Sequence, residues 1–358
     1  MINLDKKVFD LIEENPHLKD FLVSIGFEKF RNIESVKSMA KMLTLRNILK
    51  SRGIDEESFI ERYEAFNNST GKVNDMDKSE SDIVIQGVLP CPTKDVILTV
   101  FNNHFKDSDI KIFSDLRSAN LGADFFTENI NSVDDLPDIF ISPGFEFPFF
   151  DEKVKNLFNE DNFITIDHEY NDDFREYKDP KGIFYVAGAV PSVFLSNKSA
   201  SEENDIPRSW EELINGNSNT KIALPVADLD IVNAVLLTTH SKYGNEGVHK
   251  LISRYKDELH PSQMVKISMQ NKSDSSLNII PYFFGTMAVR NRSVDLIWPE
   301  DGAILSPILM AFKKGKEELM KPFIDFFTSE KFAKSMYADG KFPSSCKGVI
   351  NNMPGKFK

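Results

Sequence analysis

Side chains able to hold a ligand gather in a few short segments of this sequence. Leu89-Pro90-Cys91-Pro92-Thr93 sets a thiol and a hydroxyl at the start of a helical pattern. Free backbone N–H groups at such a start hold an anion or a polar head group. The flanking prolines fix the backbone of Cys91, which reads either as a soft-metal ligand or as a buried inert thiol. Thr93 reads either as a ligand contact or as the N-cap of that helix. Ser142-Pro143-Gly144-Phe145-Glu146 follows the apolar run DIFI, and the overlapping FEFPFF offers an aromatic patch of the kind that lines pockets for organic cations or rings. Asp228 stands between KIALPVA and a helical run, where a carboxylate either caps the helix or meets a ligand.

Tyr282 sits in IIPYFFGTMA, and DLIWPEDGAILSP (295–307) interrupts two apolar runs with a charged turn carrying Glu300 and Asp301. Pro and Asp-Gly mark a turn wherever they occur. Those two carboxylates therefore read either as a solvated turn or as the rim of a cleft.

The wider inventory narrows the chemistry. There is no G-x-S-x-G, P-loop, H-E-x-x-H or dinucleotide-binding glycine fingerprint, and the six histidines are scattered without metal-ligand spacing. A formal charge of -12 disfavours nonspecific binding to nucleic acid or an anionic membrane surface. MINLDKKVFDLIEENPHLKD has no apolar core of a secretory signal, and no window approaches eighteen apolar residues. The expectation is a cytoplasmic protein without membrane insertion, its two cysteines free thiols, its function non-catalytic and without a cofactor.

The elements that must position these residues fall into two kinds. Residues 1–66 carry apolar positions at helical spacing: Val8, Leu11 and Ile12, then Leu18, Phe21, Leu22 and Ile25, closed by Gly26. Further helices are expected over Ser35–Met42 and Thr44–Leu49, with Thr44 as N-cap, and after Asp55-Glu56-Glu57. Residues 67–81, NNSTGKVNDMDKSES, are polar and aperiodic, and read as a linker. Beyond them DIVIQGVLP, IKIFSDLR, DIFISPG, NFITID and KIALPVAD are short strand-like runs alternating with helical ones, which predicts an α/β fold on largely parallel sheets. Ligands in such folds bind beyond the carboxyl ends of the strands.

Two resemblances sharpen this reading. VFDLIEENPHLKDFLVSIGF, MAKMLTLRNIL and RGIDEESFIERY resemble the helical domain of unknown function DUF1858, a partner of redox and metal proteins in anaerobic bacteria. Some members carry a cysteine pair, and this copy has no cysteine before Cys91; the resemblance implies a docking or dimerising module with a protein partner. IPRSWEELINGNSNTKIALP and WPEDGAILSPILMAFKKGKEELMKPFIDFFTSEKFAKSMYADGKFP resemble type 2 periplasmic binding proteins, the solute-binding components of ABC transporters, in the group that takes ferric ion, polyamines or thiamine. The implied fold is a two-lobed α/β clamp with a small all-α N-terminal domain.

Lobe one is expected over 82–190 plus 305–358 and lobe two over 191–304, joined by matched crossings at GAVPSVFLSNKS and AILSPILMAFKKG. A small-molecule or ion ligand would lie between the lobes, near Cys91, Thr93, Ser142, Gly144, Phe145, Asp228, Tyr282, Glu300 and Asp301. Ferric-binding relatives use adjacent tyrosines near Tyr282, where this sequence reads Tyr-Phe-Phe. The alternative is a redox or metal-delivery accessory protein, or an enzyme of anaerobic metabolism, working through Cys91.

Overall fold

The computed structural model describes residues 2–24, 27, 30, 33–51, 56, 59–60, 63, 78–118, 124–128, 130–197, 206–216, 219–226, 229–269, 275–289, 293–340 and 342–357. The chain divides into two compact units, Met1–Asp77 and Lys78–Lys358.

The first unit is helical: α1 (Val8–Glu14), α2 (His17–Ser24), α3 (Ile33–Met42) and α4 (Leu45–Ser51). The positions picked by helical spacing form its core, with Val8, Leu11, Leu18, Phe21 and Leu22 buried together with Leu45, Leu49, Phe59 and Tyr63. Phe21 meets Phe59 edge-on at 5.3 Å. Thr44 caps α4, its Oγ1 accepting the Asn47 N–H at 3.3 Å, as the sequence predicts. Ile25, Gly26 and the expected Asp55-Glu57 helix start fall largely outside the described residues, as does most of the linker segment.

The second unit is built on one mixed sheet: β1 (Ile83–Leu89), β2 (Ile112–Ser118), β3 (Ile139–Pro143), β4 (Tyr185–Asn197), β5 (Ile222–Leu224), β6 (Tyr255–Glu258), β7 (Leu277–Pro281), β8 (Val294–Ile297) and β9 (Ile304–Phe312). The order is β2-β1-β3-β9-β4-β7-β5-β6, with β8 also on β4. Parallel pairing holds within β2-β1-β3 and within β7-β5-β6. The joins β3-β9, β9-β4 and β4-β7 are antiparallel. The expected largely parallel sheet is thus corrected to two parallel ends joined by an antiparallel centre. The reason is topological: one long strand leads out of the first half and another returns, so they run in opposite directions. NFITID is also corrected; instead of a strand it is an irregular segment with one bridge, Phe163 to Lys313.

β4 and β9 pair from Tyr185↔Met310 to Ser192↔Ile304, with a bulge at Val186/Gly188. Beyond Ser192, β4 pairs with β7 and β8 instead. Each half has its own core. One gathers Ile85, Leu89, Ile139, Tyr185, Ile308 and Phe323. The other gathers Phe194, Trp210, Leu213, Ile222, Leu277 and Ile304. Every residue of β4 is buried, because it is central to both halves and covered on both faces.

Candidate functional site

The carboxyl ends of β1 and β3 lie side by side, since the two strands pair in parallel. Helix α5 (Cys91–Phe105) starts directly after β1, with Pro90 at the N-cap and no side-chain cap. The expectation of Thr93 as N-cap is therefore corrected: the helix begins earlier, because a proline in the first turn lacks only an N–H that has no intrahelical partner. Cys91 and Thr93 stand in that first turn, and their side chains lie outside the described residues. Lys94, in the same turn, is 2% exposed. Near the end of β3, Ser142 is buried with its hydroxyl donating to the Pro143 carbonyl at 3.0 Å, and Glu146, just beyond the strand, is 8% exposed. These loops thus bring a buried ammonium and a buried carboxylate to the strand ends where α/β folds take ligands. Neither charge is legible in the sequence, because burial of a long charged side chain leaves no mark in local pattern.

Gly144 packs where the two halves join. Its N–H donates to the Pro307 carbonyl at 2.7 Å, and an added Cβ would lie 2.4 Å from the Pro307 ring. Phe145, next along, crosses from one half to the other and packs against the core of the second. The expected exposed aromatic patch is corrected accordingly. Phe147 and Phe150 turn inward around Phe140, and among the phenylalanines of the run FEFPFF only Phe149 is exposed.

The partner of Phe145 is helix α6 (Leu229–Arg254), which bends at Gly244. Asp230, 2% exposed in its first turn, accepts the Phe145 N–H at 2.9 Å through Oδ1 and the Ser306 hydroxyl through Oδ2. Asn233, one turn on, donates to the Phe145 carbonyl at 3.2 Å. The exchange is mutual. Ile231 belongs to the first half's core, and Phe283 from helix α7 (Tyr282–Ala288) packs against it, stacking on Phe342 at 5.8 Å. Asp228 lies outside the described residues. The carboxylate that joins the halves is Asp230, two positions further along the stretch ADLD, a spacing that offered the signal without ranking one aspartate over the other.

The charged turn of DLIWPEDGAILSP docks elsewhere. Asp301 accepts the backbone N–H groups of Trp210 at 2.9 Å and Glu211 at 3.3 Å, and Trp210 Nε1 donates to the Gly302 carbonyl at 3.1 Å. The Glu300 N–H donates to the Arg208 carbonyl at 2.9 Å. The turn therefore holds the start of the helix Trp210–Asn215 within the second half. Tyr282, at the end of β7, meets Trp298 edge-on at 5.3 Å. The sequence-selected residues thus separate into three places: the β1 and β3 ends, the Tyr282–Trp298 pair, and the Glu300-Asp301 turn. No cluster of three His, Cys, Asp or Glu placed to hold a metal occurs among the described residues.

Two parallel-stranded halves joined by a pair of antiparallel crossing strands, with the loop after β3 bonded across the join, make the two-lobed α/β architecture of binding proteins. The bacterial extracellular solute-binding protein family model matches residues 134–357, more than half of the chain, and the chain belongs to that family. The DUF1858 model matches residues 2–60. No curated protein matches the sequence. Among solved structures, iron-bound HitA from Pseudomonas aeruginosa is similar with a TM-score of 0.57 and 12% identity, over 76% of this chain and 89% of that one. A ferric binding protein from Campylobacter jejuni is similar at 0.56 and 14%, over 75% and 88%. An ABC transporter protein from Clostridium perfringens is similar at 0.55 and 16%, over 75% and 87%. At these identities the likeness is one of fold. The two-lobed fold read from the sequence and both resemblances stand.

Proposed function

We propose that the second unit binds one small polar molecule or ion between two lobes, without catalysis, lobe one being 82–190 plus 305–358 and lobe two 191–304. The observation that carries this reading is the crossing itself. β4 and β9 each contribute one part to each half, so rotation about Val190–Ser192 and Leu305–Pro307 moves one half against the other. A ligand touching both lobes favours the closed arrangement by its differential affinity for it. Lys94 and Glu146 supply one charge of each sign at the β1 and β3 ends, which suits a polar organic solute. Phe283 and Phe284 follow Tyr282, and phenyl rings offer no ligand to a hard cation. The iron named for HitA is for that reason not the leading candidate here.

Native mass spectrometry of gently purified protein, with elemental analysis of the same sample, tests this. A stoichiometric organic adduct supports the reading, and stoichiometric iron overturns the preference for an organic solute. The accessory-protein alternative has its own support, since Cys91 is the first residue of a helix, the setting that favours a thiolate. Cys91→Ser separates the two: retained adduct favours the plain clamp, and loss of bound metal favours the alternative.

The DUF1858 unit is proposed as a protein-docking or dimerising module. Its support is a helical core among the described residues, beside an exposed Met42. Sedimentation of the full chain against residues 78–358 tests self-association; equal stoichiometry at matched concentration leaves only docking to another protein. We place the whole in the cytoplasm, supported by a buried free thiol at Cys346, and cell fractionation checks it.

A further inference from the structure

The segment after helix 330–340 is attached to both lobes. On the lobe-one side its bonds are dense. The Ala189 N–H donates to the Pro343 carbonyl at 3.0 Å, and the Ser344 hydroxyl donates to the Ala187 carbonyl at 3.2 Å. Asn171 Nδ2 reaches the carbonyls of Ser344, Cys346 and Val349 at 2.7, 3.2 and 3.1 Å. Asn351 closes the loop, accepting the Ser344 N–H at 2.8 Å.

A few residues later the same chain binds the other lobe. The Lys356 carbonyl accepts both the Ala303 N–H at 2.9 Å and Trp298 Nε1–H at 2.8 Å. Ala303 and Phe357 form a parallel bridge. Trp298 and Ala303 belong to the lobe-two layer that contains Val193, Leu195 and Ile280. Gly355 leaves no room for a side chain, since an added Cβ would lie 2.5 Å from Trp298 Cδ1. The Phe357 ring then spans the junction, 5.6 Å from Phe174 of the lobe-one core and 6.1 Å from Trp298.

We propose that residues 342–357 are a third connection between the lobes, a strap that limits how far the clamp opens. The strap differs from β4 and β9 in kind. Those strands are continuous through both lobes and bend without parting, whereas the Phe174–Phe357–Trp298 contact is a set of edge-on and tilted ring contacts that opening must pull apart. Trp298 also touches Tyr282, so the strap ends against a candidate ligand-contact residue, and occupancy there bears on the strap. This regulation rests on the two-lobed reading of the second unit.

Full-length Phe357→Ala, read by amide hydrogen exchange and small-angle scattering, tests the proposal. The expected result is at least tenfold faster exchange at Ala303–Ser306 and a larger radius of gyration, with protection of Ile83–Leu89 unchanged. Trp298→Phe keeps an aromatic ring, though a smaller one, and removes the donor to Lys356, and is expected to move both readouts the same way by less. Equal loss of protection at Ile83–Leu89 would mean a general packing role and overturn the strap. So would unchanged exchange and dimensions in Phe357→Ala. If Asp230→Ala expands the particle while Phe357→Ala does not, the strap falls and the clamp reading stands.

Discussion

Asp230 and Asp301 do similar chemistry in different places. Each is an aspartate beside the start of a helix, and each accepts a backbone hydrogen bond from a residue distant in the chain. Asp301 accepts from Trp210 and Glu211, both in its own half of the sheet, so it fixes local structure. Asp230 accepts from Phe145, which follows β3, and from Ser306 on the returning strand, so it ties the two halves at their crossing. A carboxylate that joins two bodies governs their relative motion, and one that caps a helix within one body governs only its stability.

The sharpest way to break this comparison is Asp230→Ala. It removes two charge-assisted bonds from a buried site and leaves the Phe145 N–H to find another partner, a loss of roughly 3–5 kcal/mol. Urea unfolding is expected to show that loss, and scattering a larger particle. Unchanged dimensions would reduce Asp230 to the status of Asp301. Gly144→Ala probes the same junction through packing. Its new methyl meets the Pro307 ring, and the expected cost is about 1–3 kcal/mol, measured by thermal unfolding.

Tyr170 serves as a control away from the crossing. Its hydroxyl accepts the Val186 N–H at 2.7 Å, and burial pushes the phenol up to about 12 from the usual 10.0. A raised folded-state value means stability that is fully present below pH 10 and lost as pH climbs toward 12. Tyr170→Phe is expected to flatten that alkaline loss without changing particle dimensions; pH-dependent urea unfolding reads it. The smallest effect belongs to Asp301→Ala, about 1 kcal/mol for a lost helix cap, with no change in scattering. Expansion of that variant would show that the charged turn, too, spans the lobes.

Much of the fold was legible in advance, for identifiable reasons. Helical spacing found the first unit's core because one face of each helix must be apolar to bury it. The apolar runs DIVIQGVLP and DIFISPG marked β1 and β3 because strands covered on both faces carry no polar alternation. The paired segments around Pro191 and Pro307 became neighbouring strands, with Ala189 opposite Pro307. The site was less legible. Phe145 reads from the sequence as a pocket aromatic and is a strut between cores, and Lys94, Glu146 and Asp230 carry no local signal of their burial. Nothing local distinguishes Asp228 from Asp230, or a buried Lys94 from a solvated one.

The sequence by itself determined the element types, the two-unit division and the turn chemistry at Pro299–Gly302, because these follow from short-range spacing, backbone preference and apolar content. Only the tertiary structure decided which carboxylate crosses between the lobes, which aromatics leave the surface, and that the chain near Phe357 returns to meet Trp298. Those contacts join residues far apart in the chain, and their partners are set by which strand ends and helix starts the completed sheet brings together.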